Sequence, residues 1–250
     1  MSAYTFTAMG TTVSIRIADA TPDGPELTAA LASARSAFEE IEALFSLFRP
    51  ESELSRIGRE DLRLEDASAQ VIDASEAASR WTEQTRGAFT ARRPDGVIDL
   101  SGIVKAQAIL TAAGRLAEAE IAAHVVNAGG DILTGGVPPR GYWAAGIVEP
   151  HERLRLLTTV RLDLELPALA TSGSGERGEH IWRRDDVAGE IVQASVIARD
   201  IITADVLATA IVAGGSAALD QVTADFPIGV LAAFNDGSLV ANPMFRGRIL

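Results

Sequence analysis

The chain has 250 residues, 47% of them hydrophobic, a formal net charge of −12 and no cysteine. That length and apolar content suit a full buried core and argue against disorder, while the missing cysteine removes disulfides, thiolate zinc sites, cysteine nucleophiles and a lipid-anchored N-terminal cysteine. The acidity argues against nucleic acid and anionic lipid as partners, since both demand a basic surface, and without cysteine any metal is expected on oxygen or imidazole ligands.

From the N-terminus, Thr5 to Ala18 alternates apolar and polar residues as a half-buried strand does, with Met9-Gly10-Thr11 interrupting it. There is neither a basic segment nor an apolar segment of an export signal before it, so a cytoplasmic location is expected. A Pro/Gly turn over Pro22 to Pro25 leads into a helical pattern over Glu26 to Phe48, stopped near Pro50. Asp66 to Trp81 reads as a second helix and Ile103 to Ala119 as a third. His124 onward is a buried strand that runs into the Gly129-Gly130 turn, and further strands are expected over Tyr142 to Ile147, Thr158 to Leu164, Leu169 to Ser172 and Ser195 to Ala198. Gly229 to Asn235 and Ser238 to Ala241 form a hairpin around Asp236-Gly237. No repeat, low-complexity linker or bilayer-length apolar run is expected, so residues 1–250 are read as one domain without membrane insertion. The succession of elements predicts an α+β fold with helices packed on mixed or mostly antiparallel sheets.

Asp205 and Thr209 stand out because they are four apart in an otherwise small and aliphatic helix, so both oxygens share one face. A carboxylate there is costly unless its charge is compensated, which a hard cation would do. Plainer readings compete. Asp205 could serve the helix N-terminus, Thr209 could bond back to a carbonyl, Lys105 could snorkel to water, Gly129-Gly130-Asp131 could be only a tight turn, and His180 could be structural. Thr171-Ser172-Gly173 and the small residues after it expose backbone N–H groups suited to a phosphate. The sequence carries neither a P-loop nor a Gly-x-Gly-x-x-Gly, Gly-x-Ser-x-Gly or His-Glu-x-x-His motif.

Met9-Gly10-Thr11, Phe45 to Ile57 with its Ser52-Glu53-Leu54-Ser55, Ile98-Asp99-Leu100-Ser101-Gly102 through Lys105, Asn127-Ala128-Gly129-Gly130-Asp131, Ala170-Thr171-Ser172-Gly173, Glu176 through Trp182, and Ala204-Asp205 through Thr209 occur in that order. The ordered set resembles the ApbE family, the FAD:protein FMN transferases, from about Ala8 to Gly215. The resemblance implies two intimately joined lobes with FAD in the cleft between them. It also implies Mg²⁺-dependent cleavage of the FAD pyrophosphate, transfer of FMN to a threonine or serine hydroxyl of an acceptor protein, and release of AMP. FAD hydrolysis to FMN and AMP, or flavin binding without catalysis, are the alternatives.

On that resemblance the metal ligands are Asp205, Thr209 and a backbone carbonyl near Gly102, an oxygen-only set that suits Mg²⁺. His180 is the residue implied to activate the acceptor hydroxyl, alongside Asp205 as a catalytic group. Gly129, Gly130 and Asp131 are implied to approach the flavin, and Thr171, Ser172 and Gly173 to line its phosphates. Met9, Ser52, Glu53 and Leu54 are implied in the cofactor wall, and Asp99 and Lys105 at the border of metal and flavin. Two departures stand out: Lys105-Ala106-Gln107-Ala108 replaces the usual Lys-Gly-Tyr/Trp-Ala, and the loop after His180 lacks the usual Asp-Pro.

Overall fold

A computed structural model describes residues 3–18, 24–152, 154–173 and 190–250. Eight strands form one sheet in the order β1-β2-β3-β4-β7-β8-β9-β10, every neighbouring pair antiparallel. These are β1 (Ala3–Ala8), β2 (Thr11–Ile17), β3 (His124–Ala128), β4 (Asp131–Gly135), β7 (Ala168–Gly173), β8 (Ile191–Ala198), β9 (Gly229–Phe234) and β10 (Leu239–Ala241). A separate antiparallel pair, β5 (Trp143–Val148) and β6 (Leu156–Leu162), packs on one face of it. The α+β, mostly antiparallel expectation holds.

The helices are α1 (Pro25–Phe45), α2 (Glu53–Gly58), α3 (Ala69–Gln84), α4 (Ser101–Glu118), α5 (Ile201–Asp225) and α6 (Pro243–Arg246). Strand alternation sorts the sheet's side chains between two cores. Val13, Ile15, Val126, Leu133, Ala170, Val196 and Ala232 face α1, α4 and α5, whereas Ile132, Leu169, Ile197 and Leu231 face β5, β6 and α6. A third core joins Phe45, Leu54, α3, Phe89 and the inner sides of α4 and α5, and Met9 packs against both it and the first.

Several sequence-predicted bounds shift for local reasons. Met9-Gly10 is a two-residue hairpin turn, since Ala8 pairs with Thr11 and both turn residues have positive φ (50° and 69°). Those signs define the I′ geometry that matches strand twist. α1 begins with Pro25 in its first turn and ends at Phe45, because Ser46 turns to extended φ/ψ (−69°, 121°). α3 starts later than expected, after a 3₁₀ turn over Leu64–Asp66. β6 stops at Leu162 because Asp163 accepts from the backbone N–H groups of Glu165 and Leu166 (3.1 and 3.2 Å), closing a turn. β8 is longer than expected, and all of its residues are buried.

One expectation is corrected outright. α5 is 25 residues long and, by length and composition, apolar enough to cross a bilayer. Most of it is buried against β7, β8 and α4, and it carries the buried Asp205, so its apolar character is that of a core helix. Gly215 (φ 64°, ψ −154°) kinks it, and Glu190 receives the Ser216 N–H at 3.0 Å beyond the break.

Candidate active site

The site residues gather at one end of the eight-stranded sheet. Ala128 pairs with Asp131, so Gly129-Gly130 is a second two-residue turn, with φ of 61° and 96°. Hairpin geometry therefore already requires these glycines. Gly129 N–H donates to Thr12 O at 3.2 Å, which sets this turn beside the Met9-Gly10 turn. Gly130 N–H is held by Asn127 Oδ1 at 3.0 Å. The end of β7, with Thr171, Ser172 and Gly173, adjoins it, because Thr171 N–H donates to Asp131 Oδ1 at 3.1 Å.

Beneath this end lie α4 and α5. Asp131 is fully buried and faces the helices, where its other oxygen pairs with Lys105 Nζ. Lys105 also stands 3.7 Å from Asp205 Oδ2, so one ammonium lies between two buried carboxylates. The Lys105 side chain is 14% exposed, which excludes the snorkelling reading. Burying a charge is tolerated where an opposite charge and hydrogen bonds compensate it.

The helix-end reading of Asp205 also fails. Asp200 is the N-cap of α5, accepting from Thr203 N–H at 2.8 Å, and Asp205 lies a turn further in. Thr209, rather than being confined to its own helix, meets Ser172 across the interface, with the two hydroxyl oxygens 3.0 Å apart. Ser172 and Asp205 thereby come to the same side of the sheet end.

Thr171 departs from the expected arrangement. Alternation along β7 turns its side chain to the opposite face from Ser172, where its hydroxyl meets Ser195 Oγ at 2.9 Å. Both hydroxyls can reach one ligand only at the sheet's open end. Ser195 was not among the sequence candidates. Its signal was the alternation of Gln193 and Ser195 with Ala194 and Val196 in a buried strand, which puts two polar residues on one otherwise apolar face.

The remaining candidates have structural duties. Ser52 caps α2, accepting from Ser55 N–H (3.0 Å) and donating to Ser46 O (2.6 Å). Glu53 accepts the Ser68 N–H at 2.7 Å, and Leu54 is buried in the third core. Side chains committed in this way would leave the cofactor wall to the backbone of this segment. Asp99 accepts the Ser101 N–H at 2.9 Å at the start of α4. Gly102 lies in the first turn of that helix, where an added Cβ would come within 3.0 Å of Phe89. His180 lies outside the described residues.

The described residues bring together no group of three or more His, Asp or Glu side chains able to hold a metal. Asp205 and Thr209 instead offer one carboxylate and one hydroxyl, with the Ser172 hydroxyl beside Thr209, a hard-oxygen set of low charge. Such a set suits Mg²⁺ when phosphate oxygens or water complete the coordination.

The ApbE family model matches residues 9–93 and 90–232, a span that contains every element of this site. The chain belongs to the ApbE family. Solved ApbE structures share the fold throughout. The flavin transferase ApbE from Vibrio cholerae is 22% identical with a TM-score of 0.79, and the alignment covers 99% of this chain and 98% of that one. The flavinyl transferase ApbE of Pseudomonas stutzeri, in its apo form, is 19% identical with a TM-score of 0.81, covering 99% of this chain and 96% of that one. The apbe protein of Thermotoga maritima is 19% identical with a TM-score of 0.79, over 99% and 98% of the two chains. A search of curated proteins gave no match.

Proposed function

We propose that this ApbE-family chain transfers FMN from FAD to a threonine or serine hydroxyl of an acceptor protein, with Mg²⁺ required and AMP released. The observation that carries the reading is the meeting of Ser172 and Thr209 beside Asp205, at the end of the sheet where the Met9-Gly10 and Gly129-Gly130 turns converge. The family membership and the names of the similar structures support it.

Asp205, Thr209 and the carbonyl of Gly102 are the residues that would hold Mg²⁺, with Ser172 next to Thr209. When bound, Mg²⁺ supplies neutralisation of the charge on the pyrophosphate and its leaving AMP. The chain's own contribution is positioning. Asp131 fixes the backbone of Thr171, and Lys105 fixes Asp131 while placing a positive charge next to Asp205. The burial of this cluster limits water near Asp205, which strengthens each electrostatic interaction there. The turn glycines carry no side chain where the flavin nucleotide would approach, whereas at Gly173 an added Cβ would lie 3.1 Å from the Val192 carbonyl of β8. His180 is the base proposed to take the proton of the acceptor hydroxyl, with an imidazole suited to do so near neutral pH.

Measuring AMP release from FAD with and without a flavin-acceptor domain tests the reading. Release that depends on the acceptor, together with FMN attached to it, is expected. Equal release without acceptor would assign the chain to FAD hydrolysis, and bound flavin with no AMP would leave only a binding protein.

A further inference from the structure

Ser195 is a fully buried hydroxyl on a face that carries Gln193 beside it and is otherwise largely apolar, with Ile132, Leu169, Ile197 and Leu231. It lies directly opposite Thr171 in the β7–β8 ladder, and their hydroxyl oxygens are 2.9 Å apart. Thr171 is half-buried at the open sheet end, with its backbone N–H already held by Asp131. A threonine hydroxyl has one proton and two lone pairs. If Ser195 donates into one of those lone pairs, the Thr171 proton is left to point outward to an anionic oxygen.

We propose that Ser195 is a positioning residue that holds the Thr171 hydroxyl as a donor to a phosphate oxygen of the flavin nucleotide. The proposal rests on the flavin-transferase reading. Ser195 itself does not touch the ligand, because it is buried behind Thr171 in the strand order of the sheet. Its effect on the ligand therefore passes through Thr171, and removing Thr171's hydroxyl should make Ser195 irrelevant to binding.

That dependence is measurable by titrating FAD, followed by flavin fluorescence, into wild type, S195A, S195T, T171V and the S195A/T171V double variant, with thermal melting as the check on folding. S195A is expected to weaken FAD binding about 2- to 12-fold, the range of one net hydrogen bond. S195T, which keeps the hydroxyl, is expected to restore it, and S195A is expected to add nothing in the T171V background. Unchanged binding in S195A, or the same loss with and without Thr171, would overturn the positioning role while leaving the flavin reading intact. Wild-type protein that binds no FAD would overturn both.

Discussion

Lys105 pairs with the fully buried carboxylate of Asp131 and lies 3.7 Å from Asp205, so a single ammonium ties the β3–β4 turn to the α5 carboxylate. This ties the glycine turn to the proposed metal position. Asp131 carries the connection onward to Thr171, so a change at Lys105 reaches the phosphate side of the site as well as the metal side.

Removing the ammonium should therefore cost both stability and function. K105M leaves two buried carboxylates without their common counter-charge, and breaking a buried pair from one side costs about 3–5 kcal/mol. Urea unfolding is expected to show a loss of that size. A midpoint within error of wild type would mean that Lys105 contributes no net compensation to Asp131 and Asp205.

The Ser172–Thr209 contact predicts unequal effects of its two hydroxyls. T209V removes a proposed ligand and is expected to raise the Mg²⁺ concentration needed for half-maximal AMP release by tenfold or more, about 1.4 kcal/mol. T209S should retain most of the wild-type dependence. S172A removes only the neighbour and is expected to shift the dependence less than T209V does. Mg²⁺ titrations that coincide for wild type and T209V would remove Thr209 from the ligand set.

His124 gives the fold a pH dependence. Its ring is buried, Nδ1 lies 2.7 Å from Ile121 O, and burial lowers its pKa below 6.5, with that backbone contact opposing the shift. A lowered folded-state pKa means that the unfolded chain binds the proton first. Stability from this group is therefore complete above the unfolded value near 6.5 and falls as the pH drops from there toward the depressed folded value. Urea midpoints of wild type should decline across that window more steeply than those of H124Q, and parallel declines would contradict the assignment.

Ser52 should behave as a helix cap. S52A removes the bond from Ser55 N–H and the bond to Ser46 O, and cap losses cost about 0.5–2 kcal/mol. Thermal melting is expected to show a corresponding decrease, while FAD affinity changes little if the cofactor wall here is backbone. A large affinity loss without a stability loss would give the Ser52 side chain a direct binding role.

Elements with a sustained period were legible in the sequence. α1 and α4 show helical spacing, and β2 and β3 show half-buried strands, because burial on one side repeats at 3.6 or 2 residues, whereas α5 is buried nearly all round and β9 almost throughout, so their apolar runs carry no such period. α2 and α6 were not legible, since helices of 6 and 4 residues are too short to display a period. Within the site, the shared face of Asp205 and Thr209 followed from their spacing alone. The pairing of Lys105 with Asp131 and of Thr171 with Ser195 did not, because each joins residues that only the sheet order and helix packing bring together. The split of Thr171 from Ser172 was available in principle, since adjacent residues on a strand point to opposite faces.

Asp205 is proposed to anchor a Mg²⁺-dependent transfer of FMN to a protein hydroxyl, and the decisive readout is intact-mass spectrometry of the acceptor. An acceptor domain would be incubated with FAD, Mg²⁺ and either the wild-type chain or D205N, whose fold is verified by thermal melting. One FMN is expected on the acceptor with wild type and none with folded D205N. Equal FMN addition by both proteins would contradict this role of Asp205.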